Sequence, residues 1–294
     1  MSIEPVTPAA SELRSPSLDN QVWLVTGASS GLGRALAEAV LARGGCVVAT
    51  ARDPDTLAPL SRAAPGRLLP VRLDVTNPDE VESCAAQALA WRGHVDVLVN
   101  NAGFGTIGAT EEVDEFAIRA AFDTNFLGVH RMILAVLPAM RERGRGHIVN
   151  VSSMLGHVGL PGYSIYCAVK FAVEGLSEAL AREVAPFGIG VTVVAPGPFR
   201  TDFRSRSMQA VPPRAPYDRT LKAFRESLLA TDGQQPGDPR RAGDVIVDAV
   251  TSAQPPLHLI LGEIAMTQVR AKAAALEADI RRFEAPSRAT AFPT

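Results

Sequence analysis

A doubly wound α/β fold, one parallel sheet with helices on both faces, is predicted by three observations on this 294-residue chain. Short apolar runs rich in Val, Leu and Ile alternate with longer stretches of helical period, the order that builds parallel strands joined by crossover helices. The first apolar run passes straight into a glycine-rich turn and then a helix. Several later runs end in small or polar residues, at the edge where a parallel sheet offers its carboxyl ends to ligands.

Composition is consistent with one large domain, because 47% hydrophobic and 20% charged residues suffice for a substantial core. A formal net charge of −2, with both signs spread along the chain, argues against nucleic acid or an anionic membrane as partner and favours a small metabolite. No apolar run reaches the roughly 18 residues that span a bilayer, and the N-terminus lacks a basic start followed by an apolar core. A soluble, cytoplasmic protein is therefore expected. Cys46, Cys84 and Cys167 are far apart, with no Cys-x-x-Cys and no His cluster in sequence, which predicts reduced thiols and no structural metal.

Residues 1–20, rich in Pro, Ser, Ala and Glu, are expected to form a flexible arm, leaving 21–294 as a single domain. Gln21 to Val25 is the first strand, and Arg34 to Arg43 the first helix, stopped by Gly44-Gly45. Between them, Thr26-Gly27-Ala28-Ser29-Ser30-Gly31-Leu32-Gly33 has the form of a pyrophosphate cradle. There Gly27 allows the tight turn, Gly31 the approach of backbone to phosphate, and Gly33 the close packing of helix on strand. A second strand, Cys46 to Ala51, ends at Arg52-Asp53-Pro54, where such a fold meets the adenosine ribose. A third, Arg67 to Leu73, ends at Asp74-Val75, and a helix follows from Pro78 to about Trp91. The fourth strand, Val95 to Val99, closes on Asn100-Asn101-Ala102-Gly103, whose small residues leave room for a ring.

One long helix is predicted from about Glu112 to Met140. Asn125 falls inside it, and its poor helix propensity between Phe122, Phe126 and Leu127 marks a polar group placed for a purpose. His147 to Val151 forms a strand, and a helix begins near Tyr166 and runs to about Ala185. A further strand, Val191 to Ala195, ends at Pro196-Gly197-Pro198-Phe199-Arg200-Thr201, so that five or six strands alternate with helices up to this point. Residues 199–241 carry many Arg and Pro, a helix near Tyr217 to Leu229 and a breaker run at 232–237, so a mobile lid over the substrate is expected. A helix from Ala242 to Ala253, a strand from Leu257 to Leu261 and a helical tail at about 263–283 complete the chain.

The chemistry centres on Ser152 to Lys170. Tyr166 and Lys170 stand four residues apart, one turn along one helix face. An ammonium beside a phenol favours the phenolate and is expected to lower its pKa from about 10, while Ser153 at a strand end is placed to hold a substrate oxygen.

Thr26-Gly27-x-x-x-Gly31-x-Gly33, Asn100-Asn101-Ala102-Gly103, Asn125, Ser153, Tyr166-x-x-x-Lys170 and Pro196-Gly197 occur in an order that resembles the short-chain dehydrogenase/reductase family, over roughly residues 21–262. The resemblance implies a Rossmann fold and a nicotinamide cofactor. It makes Tyr166 the general acid/base, Ser153 the holder of the carbonyl, Lys170 a ligand of the nicotinamide ribose that tunes Tyr166, and Asn125 the support of a water relay. Cofactor contacts fall to Gly27, Ser29, Ser30, Gly31, Leu32, Gly33, Asn101, Ala102, Gly103, Pro196, Gly197 and Phe199, with Asp74 and Val75 at the adenine and Thr201 at the carboxamide. Tyr163, two turns from Lys170, is read as pocket wall with Phe104, Met154, Leu155, Val158, Leu160, Phe203 and Met208, an apolar set that fits a hydrophobic ketone or secondary alcohol. Ala51 stands where NAD-preferring relatives carry an acid, and Arg52 follows it, so NADPH is favoured over NAD. A homo-oligomer, dimer or tetramer, is expected, although the family's Gly-rich ending is replaced by Gly262-Glu263-Ile264 and a helical tail. The competing function is a catalytically silent NAD(P)-sensing protein of the same fold.

Overall fold

The computed structural model describes residues 18–292, so most of the expected N-terminal arm lies outside the described residues. Its last three residues are not an arm: Leu18 is fully buried and donates its N–H to the Arg43 carbonyl at 3.0 Å. Seven parallel strands form the sheet, one for each strand read along the sequence. They are β1 (Val22–Val25), β2 (Cys46–Ala51), β3 (Leu68–Arg72), β4 (Val97–Asn100), β6 (Gly146–Val151), β7 (Ile189–Pro196) and β9 (His258–Leu261), in the order β3-β2-β1-β4-β6-β7-β9. A separate pair, β5 (Gly105–Ile107) and β8 (Met208–Ala210), is also parallel. The chain reverses direction across the sheet between β1 and β4, the crevice where ligands of such folds bind.

The helices are α1 (Gly31–Ala42), α2 (Ala58–Ala63), α3 (Pro78–Arg92), α4 (Glu115–Phe122), α5 (Gly128–Arg143), α6 (Ser164–Val184), α7 (Phe203–Arg206), α8 (Asp218–Ala230), α9 (Pro239–Val250) and α10 (Glu263–Arg288). Alternation along β1 divides the core. Trp23 and Val25 pack with Leu36 and Val40 of α1 and Ile246 of α9, while Val22 and Leu24 pack with Cys84 of α3, Met132 of α5 and Leu180 of α6. Sequence signals fix the ends of α3: the Asn77 side chain accepts from the Asp79 and Glu80 amides, Pro78 opens the helix, and Gly93 closes it in the left-handed region.

Three expectations need correction. The helix expected from Glu112 to Met140 runs from Glu115 to Arg143 and widens at a π-turn, Asp123–Leu127, between α4 and α5, while Glu112 lies before it. Asn125 sits in that turn. Its Nδ2 donates to the Ala121 carbonyl at 2.9 Å and its Oδ1 accepts from the Phe104 amide at 3.1 Å, so side-chain bonds hold a widened turn that local propensity does not encode. Residues 199–241, expected to form a mobile lid, are anchored at several points. Arg200 donates to the Gly237 carbonyl at 2.8 Å across its base, β8 pairs with β5, and Leu221 is 2% exposed. Glu112, its side chain fully buried, accepts from the amides of Ala109 and Arg214, both at 2.7 Å, and pairs with Arg225 of α8. Finally, the tail helix runs on to Arg288, with Ala265 its single buried residue and Leu276, Ile280 and Phe283 half exposed.

Candidate active site

The carboxyl ends of β1, β2, β4, β6 and β7 open onto one cleft of about 780 Å³. At its floor, β1 runs into the glycine turn, where Gly27 and Gly31 have φ of +66° and +57°. A Cβ at Gly33 would lie 2.3 Å from Asn101 Nδ2 and 2.5 Å from the Gly27 carbonyl oxygen, so no larger residue keeps this packing. Asn101 fastens the turn, its Nδ2 donating to the carbonyls of Thr26 at 2.9 Å and Gly27 at 3.1 Å. Thr26 answers it: its hydroxyl oxygen accepts from the Asn101 and Ala102 amides at 2.9 and 3.0 Å. Ser30 precedes α1 without a side-chain bond to it, so the amides of the first helical turn face the cleft and can receive an anion. These residues fit a dinucleotide: a left-handed glycine turn, free helix-end donors and no Cβ in the way.

Ser29, Ser30, Leu32, Arg52, Asp74 and Val75 line the cleft as expected, and so do Asn101, Ala102, Gly103, Pro196, Gly197, Phe199 and Thr201. Gly33 does not; its place is behind the turn, in packing. Asp74 turns its carboxylate toward Thr76, accepting from that residue's amide and hydroxyl at 3.0 and 2.7 Å. Burial would raise its pKa, but those bonds and the nearby Arg52 and Arg72 hold it below the usual value.

Ser153, Tyr166 and Lys170 meet at the centre. Ser153 ends the strand segment and caps a short 3-10 turn, its Oγ accepting from the Leu155 amide at 3.1 Å. Tyr166 is 7% exposed, and Lys170 Nζ lies 5.7 Å from its ring centre. The ammonium donates to the Val151 carbonyl at 2.9 Å, which ties α6 to β6. Burial pulls Lys170 down to about 8, against the opposing charge of Glu174 one turn on. For the phenol the sequence expectation is reversed. Burial pushes Tyr166 above its ordinary pKa, and the neighbouring Ser153 hydroxyl offsets only part of that rise. Tyr163 is likewise pushed up to about 12 by burial.

Phe104, Met154, Leu155, Leu160, Tyr163, Phe203 and Met208 form the far wall, as read from sequence. Val158 does not line it; it lies behind, its carbonyl taking the Cys167 thiol at 3.6 Å. Phe224 and Leu228, from α8, complete the wall, with the Phe224 ring 5.4 Å from that of Tyr163. Sequence reading missed both, since the period of α8 carries no mark of what it covers.

A family profile described as short chain dehydrogenase matches residues 21–211. An oxidoreductase of Botryotinia fuckeliana is 39% identical over 272 residues, covering 92% of this chain and 99% of its own. The 3-ketodihydrosphingosine reductase of Bacteroides thetaiotaomicron is 38% identical over 83% of this chain and 88% of its own, and retinol dehydrogenase 8 of Homo sapiens 39% identical over 80% and 79%. Among solved structures, a short-chain dehydrogenase from Streptomyces avermitilis superposes with a TM-score of 0.87 at 43% identity, covering 92% of this chain and 98% of that one. One from Burkholderia phymatum in complex with NAD gives 0.79 at 28% identity, covering 90% and 96%. A metagenomic short-chain oxidoreductase in complex with NADP gives 0.59 at 36% identity, covering 62% and 84%.

Proposed function

We propose, for a chain that belongs to the short-chain dehydrogenase/reductase family, an NADPH-dependent reaction between a hydrophobic ketone and its secondary alcohol. The observation that carries this is the placement of Ser153, Tyr166 and Lys170 between a dinucleotide cradle and an apolar wall. When bound, the nicotinamide supplies or accepts the hydride. The residues manage the oxygen. Ser153 holds it by a hydrogen bond, and the Tyr166 phenol, kept protonated by its burial, gives its proton to the oxygen as the carbonyl becomes an alcohol. Lys170, its positive charge beside that ring, stabilises the phenolate left behind. Alcohol oxidation runs the same proton in reverse. With all three groups lining the cleft, nothing in the site favours a silent cofactor sensor.

The apolar wall supports a bulky substrate, and relatives named for retinol and ketodihydrosphingosine are in keeping with that. Preference for NADPH is supported by Ala51, which brings no carboxylate to the ribose, and by the guanidinium of Arg52 at the cleft edge. The Arg52 carbonyl also accepts from Arg72 Nη1 at 2.9 Å, bringing a second cation to the same end. Asp53 is turned away, capping the next turn through the Asp55 amide at 3.1 Å. No helix among the described residues is long and apolar enough to cross a membrane, and the proposal keeps the expected cytoplasmic location. It also includes self-association, supported by the exposed Phe116, Leu134 and Phe171 on the adjoining helices α4, α5 and α6.

The test is Tyr166→Phe, with Tyr163→Phe as control. Removing the proton donor should lower turnover by ~10²–10⁴-fold while cofactor binding, followed by fluorescence titration, stays nearly intact. Near wild-type turnover by Tyr166→Phe on a panel of ketones and alcohols would refute the assignment.

A further inference from the structure

Behind the catalytic helix lies a cluster that the proposed reaction does not use. Glu174, one turn beyond Lys170 on α6, meets His157, four residues after Ser153, and His258, the first residue of β9. Its side chain is 6% exposed, and against that burial His157, His258 and the Ser152 hydroxyl come close enough to hold its pKa below the usual carboxylate value, yet none of them is aligned with a carboxylate oxygen as a hydrogen bond; His157 Nε2 is also buried without an aligned partner. Buried polar atoms in native proteins are almost always bonded, and an orphaned group asks for a partner such as an ion.

The distances narrow the choice. His157 Nε2 lies 3.2 Å from Glu174 Oε1, and His258 Nδ1 lies 3.4 Å from Oε2, yet neither contact has hydrogen-bond geometry. A simple ion pair would align each N–H with an oxygen. In a tetrahedral shell with bonds of roughly 2.0–2.2 Å, neighbouring ligand atoms stand roughly 3.3–3.6 Å apart and aim at a common centre instead of at each other. One ligand atom from each of the three residues can be chosen so that all lie within 4.8 Å of one another. Behind His258, its Nε2 is 3.6 Å from Glu178 Oε1, the outer carboxylate that commonly orients a metal-bound imidazole. Gly156 leaves the space: a Cβ there would lie 2.5 Å from Ser152 Oγ and 3.1 Å from Glu174 Oε1. His258, with its side chain 36% exposed, opens a path to solvent.

We propose that His157, Glu174 and His258 form a site for one divalent metal ion of the zinc class. Two imidazole nitrogens with one carboxylate suit zinc, cobalt or nickel, whereas magnesium and calcium favour all-oxygen shells. The ion joins three separate parts of the fold: the loop after Ser153, the helix of Tyr166 and Lys170, and the edge strand β9. Residues spread from 157 to 258 display no ligand spacing, so the sequence-based expectation of no metal does not reach this cluster.

The experiment uses the full chain after dialysis against a chelator, titrated with Co²⁺ and separately with Zn²⁺. One equivalent of Co²⁺ should give visible absorption of tetrahedral intensity, and Zn²⁺ should raise the melting temperature. The exposed Glu178→Gln should weaken binding by ~10–100-fold and His258→Ala by more, with folding verified by circular dichroism. Absence of both the cobalt band and the zinc shift in the unaltered chain would leave a plain His–Glu–His contact and overturn the proposal. Undiminished affinity in folded His258→Ala would overturn it equally, by placing the ion elsewhere.

Discussion

Replacing Asn125 with Ala removes both bonds that hold the π-turn against the cleft. The amide of Phe104 loses its acceptor at 3.1 Å, and the Ala121 carbonyl loses its donor at 2.9 Å, in a residue that is 1% exposed. Two hydrogen bonds at about 1 kcal/mol each, with at least one buried group left unpaired, put the loss at about 2–4 kcal/mol. At roughly 2–4 °C per kcal/mol for a domain of this size, the melting temperature should fall by roughly 4–16 °C. Asn125→Asp should lose at least as much, because its second oxygen would face the Ala121 carbonyl and its charge would be buried without a partner. Activity should drop as well, since Gly103 packs directly on the amide oxygen, where a Cβ would come within 2.4 Å. Calorimetry of the three proteins decides it: a loss under about 1 kcal/mol for Asn125→Ala would show that the turn is held by something else.

The double change Ala51→Asp with Arg52→Ala should reverse cofactor preference. The lost charge-assisted contact alone is worth about 1.5–3 kcal/mol, roughly ten- to a hundredfold in kcat/KM, and an unmoved NADPH/NADH ratio would discard that role for Arg52. Glu112→Ala should release α8 and β8, read as faster proteolysis within residues 206–236 at unchanged cleavage elsewhere; equal rates would mean the carboxylate anchors nothing. His147, with Nε2 2.9 Å from Thr192 Oγ1, is pulled by burial to about 4. The unfolded chain takes up that proton near 6.5 and the folded chain only near 4, so stability should fall as pH drops through this window, by about 3 kcal/mol in total. Urea unfolding at several pH values should show a shallower decline for His147→Gln, and an identical decline would exclude the imidazole as its source.

What the chain discloses directly is what adjacent residues decide. Strand, glycine turn and helix at 22–42 are legible because left-handed backbone, an uncapped helix end and apolar runs are written in consecutive residues. The Tyr166–Lys170 spacing is legible for the same reason. Features made by distant partners are not. The π-turn depends on Phe104, the seat of Glu112 on Arg214 and Arg225, and the far wall on Phe224 and Leu228. The acidity of Tyr166 is the instructive error: a lysine four residues away names a charge, but the depth of burial, which dominates here, is a property of the whole fold. Val158 fails similarly, since a loop residue's apolarity does not tell which side of the wall it occupies.

The pairing of β5 with β8 has a consequence for timing. The Gly105 amide donates to the Ser207 carbonyl at 2.8 Å and the Val211 amide to the Ile107 carbonyl at 3.0 Å, next to the carboxylate of Glu112 that Arg214 and Arg225 share. These contacts adjoin one another, so loss of one is expected to loosen the others and the segment to open as one cooperative unit. If it does, a ligand too bulky to slip past Phe203 and Phe224 leaves only when the segment opens. Its residence in the cleft would then follow the lifetime of a short parallel ladder and one buried carboxylate.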